Sequence, residues 1–557
     1  FVQSFNRSMK KLLTFPLVPA LLKPCRRKIA SVHRFSQLIL RDFSSVDDKP
    51  KYISIDRAGL FGVDQKSVEE EPALISVEQH TELARELIST ITLRGPISLH
   101  EYMSLGLNHL IHGYYQSDIE SASCDSDKIG QGGDFITAPE ISQLFGECIL
   151  VWCISIWNIL GCPASIKLIE LGPGKGTLMK DLLHSAIKGN DTMAAKFRSA
   201  VANGGVHLVE LSQTMRRMQF DALQCQQPLT EDNHSSETTS SATVNLDDSE
   251  TIDTRFVRDG VKYPSYGVEG DATKPPEITW HSFFSQIKAQ DVPVLIIGQE
   301  FLDAFPVHQF VYTKNGWREK LVDINRPSLS SQPNPKAETS NNSSQSEQSD
   351  LLFRLVLSPV PTPAVKSLFG GQNQVINETI QSLRTNANES SSGLKVGDGL
   401  EISPLTLAVC EDIGRVLAGN PAGGAALLVD YGEDFTQEDS LRAFRKHQQV
   451  HILSQVGKAD LTADVDFAAC AKAAKGGGAV SLPLTTQGGF LMSMGILERV
   501  QQLIDLPSTS DEQAEALFQS MKRLVDPQEM GRKYKVLGLC SPQVDSLQVP
   551  GFHRDSQ

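Results

Sequence analysis

Between Ile166 and Lys188 the chain reads IKLIELGPGKGTLMKDLLHSAIK, and few folds accommodate that order of residues. Ile166 to Leu171 is a short apolar run that stops at glycine. Gly172, Gly174 and Gly176 then alternate with Pro173 and Lys175. From Thr177 to Lys188 apolar residues fall at 178, 179, 182, 183, 186 and 187, which is helical spacing. A strand, a glycine loop and a helix follow each other directly. Glycines allow a tight turn and close approach of backbone to a ligand, and the helix N-terminus beyond presents free N–H groups. A phosphate-binding P-loop needs GxxxxGK followed by Ser or Thr, but Lys175 is followed by Gly176. A dinucleotide fingerprint reads GxGxxG, and this loop reads GxGxG.

Three further runs, Val206–Leu211, Val292–Gly298 and Ala425–Val429, are almost continuously apolar. Such runs suit strands buried on both faces of a parallel sheet, and their alternation with helical stretches predicts a doubly wound α/β fold. Each of the four runs ends near a carboxylate: Glu170, Glu210, Glu300 and Asp430. In parallel strands all four share the edge where open α/β sheets bind ligands. Any one of these acids could simply cap a loop. As a set they suggest a ligand with hydroxyl or cationic groups. Glu210 lies 38 positions after Gly172, so a long helix and a loop are expected between them. An acid before GxGxG, with a second acid after the next strand placed to hold ribose hydroxyls, fits the adenosylmethionine loop of Rossmann-like methyltransferases best.

The remaining sequence adds exclusions. The formal net charge of −14 argues against a general nucleic-acid binder. No apolar run approaches the roughly 18 residues of a membrane span; the longest, Cys148 to Leu160, reads as a buried helix. Residues 1–41 carry nine Lys or Arg and no Asp or Glu. That composition reads as a mitochondrial transit peptide, with a disordered basic tail and a secretory signal, interrupted at Pro16 and Pro19, as the rivals. Without it the chain holds 43 basic and 66 acidic residues. The nine cysteines form no CxxC pair, which argues against a disulfide framework or a structural zinc site. His109 and His112, three apart on an expected helix, make no metal signature, so no metal is expected. Residues 228–253, with seven acids and many Ser and Thr, and 326–350, rich in Ser, Asn, Gln and Pro, are expected to be disordered loops, as is 384–400.

Several motifs then recur in one order. They are GDFITAPEISQ from Gly133, ELGPGKGT, VELS from Val209, ITWH from Ile278, QEFLDAFPVH from Gln299, GWRE from Gly316, VDYG from Val429 and GKADLTADVDF from Gly457. In these the chain resembles the MidA-like family of mitochondrial and bacterial methyltransferases, over about Ile97 to Gly538. Ile136, Ala138, Gln299 and Phe305 depart from the family pattern, Gln299 standing where a small residue or Asn is expected.

The resemblance implies an α/β, Rossmann-like class I methyltransferase core, with an additional helical and α+β inserted region and disordered polar loops. It implies S-adenosyl-L-methionine as cofactor, held by Glu170, Gly172, Gly174, Gly176 and Glu210, with Trp280 either flanking adenine or buried structurally. Its mitochondrial members imply symmetric dimethylation of an arginine on a complex I subunit in the matrix, supporting assembly of mitochondrial NADH dehydrogenase. Glu300, Asp303 and Asp430 are the catalytic candidates, placed to bind and orient a guanidinium, although Asp303 could equally cap the next segment. Asp430 and Tyr431 are expected to line the arginine channel, and the GDFITAPEISQ stretch to close over the cofactor. Another methyl acceptor, or a non-catalytic assembly chaperone that keeps the fold, are the alternatives.

The expected division is a presequence and linker (1–45), an N-terminal helical region (46–165) and a core (166–325) with a disordered insertion at 228–275. A second insertion (326–350), the rest of the core with a substrate-side region (351–545) and a tail (546–557) follow.

Overall fold

The computed structural model describes residues 81–116, 136–188, 192–226, 257–265, 275–288, 291–325, 351–370 and 394–552. The expected presequence, the polar stretches 228–253 and 326–350, and Gly133 to Phe135 lie outside the described residues.

All four apolar runs become strands of one sheet. Lys167–Leu171, Val206–Val209, Val294–Gln299 and Gly424–Glu433 run parallel, together with Glu277–His281. Across the sheet the order is Glu277–His281, Val206–Val209, Lys167–Leu171, Val294–Gln299, Gly424–Glu433. The chain therefore builds outward on one side of Lys167–Leu171 and then returns to build on the other. Such a reversal opens a crevice beyond the carboxyl ends of the two strands that flank it. Tyr534–Cys540 extends one flank antiparallel to Gly424–Glu433, with Val480–Ser481 and Thr485–Thr486 paired beyond it, and Lys262–Pro264 closes the other antiparallel to Glu277–His281.

Alternate strand residues feed two cores. Leu168, Leu208, Leu295, Ile297 and Leu427 point to the side covered by the helices Gln143–Ile159, Thr177–Lys188 and Thr192–Gly204. Ile169, Leu171, Ile296, Ala426 and Leu428 point to the side covered by Pro404–Gly419 and Phe467–Gly476. Gln143–Ile159 holds the expected buried apolar run; Ser142 caps it by accepting from Leu144 N at 3.3 Å.

A second, antiparallel sheet places Ile97–Ser98, Gly316–Ile324, His308–Thr313 and Gly399–Ile402 side by side, with Phe353–Leu357 also paired to Gly316–Ile324. It draws strands from both sides of the 326–350 insertion. With the small sheet Gln448–Val450, Arg442–Arg445, Asp460–Thr462 it forms the α+β region.

Four local expectations are corrected. Of 384–400, residues 384–393 lie outside the described residues, but its end is ordered, with Gly399 and Leu400 buried in the strand Gly399–Ile402. The segment between Gly172 and Glu210 holds two helices, Thr177–Lys188 and Thr192–Gly204, instead of one long helix and a loop. Part of 228–275 is ordered: Tyr263 in Lys262–Pro264 is fully buried, packed edge-on against Phe220 and Trp280. His109 lies just past the helix Leu99–Asn108, and with His112 it flanks Glu86 at 3.1 and 3.5 Å. Among the described residues no group of His, Cys, Asp or Glu is arranged to hold a metal, seven cysteines are free thiols, and no helix is long and apolar enough to cross a membrane.

Candidate active site

The glycine loop leaves the strand Lys167–Leu171 at the reversal point of the sheet. Gly172, Gly174 and Gly176 have φ of 61°, 53° and 82°, a region that residues with a Cβ enter only at a cost. At Gly172 a Cβ would also stand 2.6 Å from the Phe301 ring, closer than packing allows. The loop is tied down by Gly172 N donating to Val209 O at 3.0 Å and Gly176 N donating to Pro173 O at 2.7 Å.

Gln219, from the helix Gln213–Ala222, braces this loop. Its Nε2 donates to Gly174 O at 2.7 Å and to Glu210 Oε2 at 3.3 Å, while its Oε1 accepts from Trp280 Nε1 at 2.8 Å. One buried amide thus connects loop, second acid and tryptophan. Trp280 itself stays behind the cavity wall. It pairs with Leu208 across the strands and points into the same core, packed against Phe220 and Tyr263. Of its two expected places the structure shows the buried structural one, from which it reaches toward the cavity through Gln219. Gln219 itself was not singled out in the sequence, although a polar residue on the buried face of an amphipathic helix is a readable signal.

The crevice is a cavity of about 380 Å³. Its walls include Gly172, Pro173 and Gly174 of the loop, the apolar Leu178, Val209, Met215, Phe284 and Phe301, and four carboxylates, Glu140, Glu170, Glu210 and Glu300. Lys175 is the one basic residue among the described lining residues. Thr137, with Pro139 and Glu140 of the APEI segment after it, forms one wall, and Glu140 accepts a hydrogen bond from the Thr177 hydroxyl.

The acids differ in their surroundings. Glu170 is 2% exposed and its Oε2 has no hydrogen-bond partner. Burial pushes its carboxyl up to about 8. Glu210 accepts from Ser212 N at 2.8 Å through Oε1; burial raises its pKa, and the bonds from Ser212 and Gln219 oppose that rise. Glu300 sits in the left-handed region, φ 48°, just past Val294–Gln299. Its Oε1 accepts from Gln299 Nε2 at 2.9 Å and from Ala138 N at 3.3 Å. A non-glycine residue held in that conformation costs energy and marks a place where the fold imposes a direction.

Asp303 and Asp430 do not line the cavity, which corrects their expected placement. Asp430 is 1% exposed; its Oδ2 accepts from the backbone N–H of Phe301, Leu302 and Asp303 at 3.1, 2.9 and 3.2 Å. Its Oδ1 accepts from Tyr431 N at 2.9 Å. Burial, with Asp303 and Glu300 near, pushes the carboxyl well above the usual range against those bonds. Asp303 accepts from the Tyr431 hydroxyl and from Thr462 Oγ1 at 2.7 Å. Tyr431 is therefore spent on Asp303 and does not reach the cavity either. These residues form the floor beneath the Glu300–Phe305 turn.

A glycine loop held at positive φ, a buried carboxylate oxygen without a partner and a second acid one strand away suit a nucleoside that carries hydroxyls and a cationic amine. Sheet order and loop together define a Rossmann-like methyltransferase. The family model described as "Putative S-adenosyl-L-methionine-dependent methyltransferase" matches residues 148–484, and the chain belongs to that family. It is an S-adenosyl-L-methionine-dependent methyltransferase, as the motif resemblance implied. Among its relatives, the protein arginine methyltransferase NDUFAF7, mitochondrial, of Danio rerio is 33% identical over 467 residues, covering 82% of this chain and 87% of the relative. The Homo sapiens protein of the same name is 31% identical over 482 residues, covering 86% and 87%. The fold is shared with a protein of Burkholderia thailandensis solved bound to S-adenosyl-homocysteine. It matches with a TM-score of 0.55 at 20% identity, over 86% of this chain and 96% of that one.

Proposed function

We propose that this chain methylates arginine side chains of a protein, as symmetric dimethylarginine on a complex I subunit in the mitochondrial matrix, and so supports complex I assembly. The observation that carries the reading is the acid-lined cavity, in which Glu300 faces the same space as the glycine loop. The names of the relatives, arginine methyltransferase and mitochondrial, support the acceptor and the compartment.

Adenosylmethionine, when bound, supplies an electrophilic methyl group on a sulfonium sulfur. Gly172 and Gly174 would admit it, with Gly176 shaping the loop from outside the cavity, Glu210 would accept from its ribose hydroxyls, and Glu170 would take its cationic amine. Guanidinium keeps its proton near neutral pH. Glu300 would bind it, draw positive charge onto the nitrogens it holds and orient another nitrogen for attack. Apolar walls such as Phe284 and Phe301 exclude water and strengthen that interaction. Asp430 and Asp303 serve by fixing the turn that aims Glu300.

The test is incubation of the protein with methyl-labelled adenosylmethionine and mitochondrial extract from cells lacking it. Label in dimethylarginine of a complex I subunit is expected. Label confined to small molecules or to other amino acids would overturn the reading.

A further inference from the structure

We infer that Gln299 is a second acceptor for the substrate guanidinium, working beside Glu300; this rests on the arginine reading above. Adjacent residues of a strand normally point to opposite faces, so Gln299 and Glu300 should not share a cavity. The left-handed backbone at Glu300 breaks the alternation and turns its carboxylate back to the Gln299 amide, 2.9 Å away. Both residues line the cavity as a result. Gln299 spends its amide N–H on Glu300, which fixes which way the amide faces. Its Oε1 is then left without a partner, although the residue is only 7% exposed. An unpartnered buried carbonyl oxygen is costly, and at a cavity wall it calls for a donor from the ligand.

A guanidinium brings five N–H donors in one rigid plane. It can give one edge to the Glu300 carboxylate and a further N–H to the neighbouring amide oxygen. Glu170, on the adjacent strand, has an unpartnered oxygen of its own; it serves the cofactor, and Gln299 serves the acceptor. Gln299 is thus a positioning residue twice over: it orients Glu300 and it holds the substrate.

The test compares full-length wild type with Gln299→Met and Gln299→Glu. Label entering dimethylarginine is followed against extract protein concentration at pH 7 and pH 9, and calorimetry measures affinity for S-adenosyl-homocysteine. Met removes donor and acceptor at similar volume. Its apparent KM for extract protein should rise roughly 10- to 100-fold, the worth of a hydrogen bond to a charged group, with S-adenosyl-homocysteine affinity within about threefold of wild type. Glu keeps an acceptor oxygen but sets a second carboxylate beside Glu300. Repulsion raises the pKa of that pair, so the pH profile moves upward and the KM approaches wild type at pH 9. An unchanged KM in the Met variant overturns the inference. So does a Glu variant as impaired as Met at pH 9, or a cofactor affinity that falls in step with KM. A wild type that labels no arginine is a separate result, which removes the arginine reading and this inference with it.

Discussion

Glu300 and Asp430 stand almost opposite each other at one edge of the sheet, because Gln299 pairs with Val429 one residue earlier. Both are acids at the end of an apolar run, and both looked equally catalytic in the sequence. One is turned into the cavity by a left-handed backbone; the other remains in its strand, Gly424–Glu433, and takes three successive N–H groups of the turn above it. The wall and the floor of the site are built from the same residue type. Backbone conformation decides which acid meets the ligand, and hydrogen bonding decides what the other one does.

The sharpest way to break this comparison is to remove the floor. Asp430→Ala leaves the N–H groups of Phe301, Leu302, Asp303 and Tyr431 without their acceptor. A loss of about 3–5 kcal/mol in unfolding stability is expected from stranding several buried N–H donors at once, read from a denaturant titration. If Asp430 were instead a wall residue, its removal would cost turnover and leave stability nearly unchanged. Glu300→Gln tests the wall in reverse. Turnover should fall roughly 100- to 1000-fold, the usual scale for one electrostatic catalytic group, and the denaturation midpoint should barely move.

Glu170 sharpens the contrast further, as a wall acid with no protein partner for one oxygen. Its pKa rises from 4.5 to about 8 on folding, so the folded state holds the proton more tightly than the unfolded state. Stability of the ligand-free protein therefore falls as pH rises from about 4.5 toward 8, and the penalty is complete above that. Glu170→Gln should remove this slope, a difference on the order of 2–4 kcal/mol at pH 8, seen as a smaller drop in Tm between pH 5 and pH 8 than in wild type. An identical slope in both proteins would show that Glu170 is not the group responsible. The smallest effect on the cavity belongs to Trp280→Phe, which loses one hydrogen bond to Gln219 and part of a ring buried in the core. It should cost about 2–3 kcal/mol of stability, from the void in the core and the unpartnered Gln219 oxygen, and leave S-adenosyl-homocysteine affinity within about threefold; a tenfold loss that Gln219→Met does not share would return Trp280 to the adenine side.

Much of the cavity's glycine wall could be read directly. The run Lys167–Leu171, the glycine loop and the helix Thr177–Lys188 lie next to each other in sequence, so spacing alone fixes their relation. That Glu170, Glu210, Glu300 and Asp430 share one edge follows from strand polarity, and the parallel register bears it out. What spacing cannot give is direction across that edge. The turn after Gln299 depends on a left-handed residue that is not glycine, and nothing in the letters announces it. The letters left Trp280 open between the adenine side and the core; the partner that shows its place, Gln219, lies 61 positions away. The strand Tyr534–Cys540 and the antiparallel sheet around Gly316–Ile324 were not singled out either, since their pairings span insertions and hundreds of residues.

The division between wall and floor, and between cofactor side and acceptor side, meets its most direct test in one titration. Glu300→Gln is titrated calorimetrically with S-adenosyl-homocysteine alongside wild type. If Glu300 serves the acceptor, the two affinities agree within about threefold while the variant's methyl transfer falls by roughly two to three orders of magnitude. A variant that loses binding by two orders of magnitude would place Glu300 on the cofactor and contradict the account.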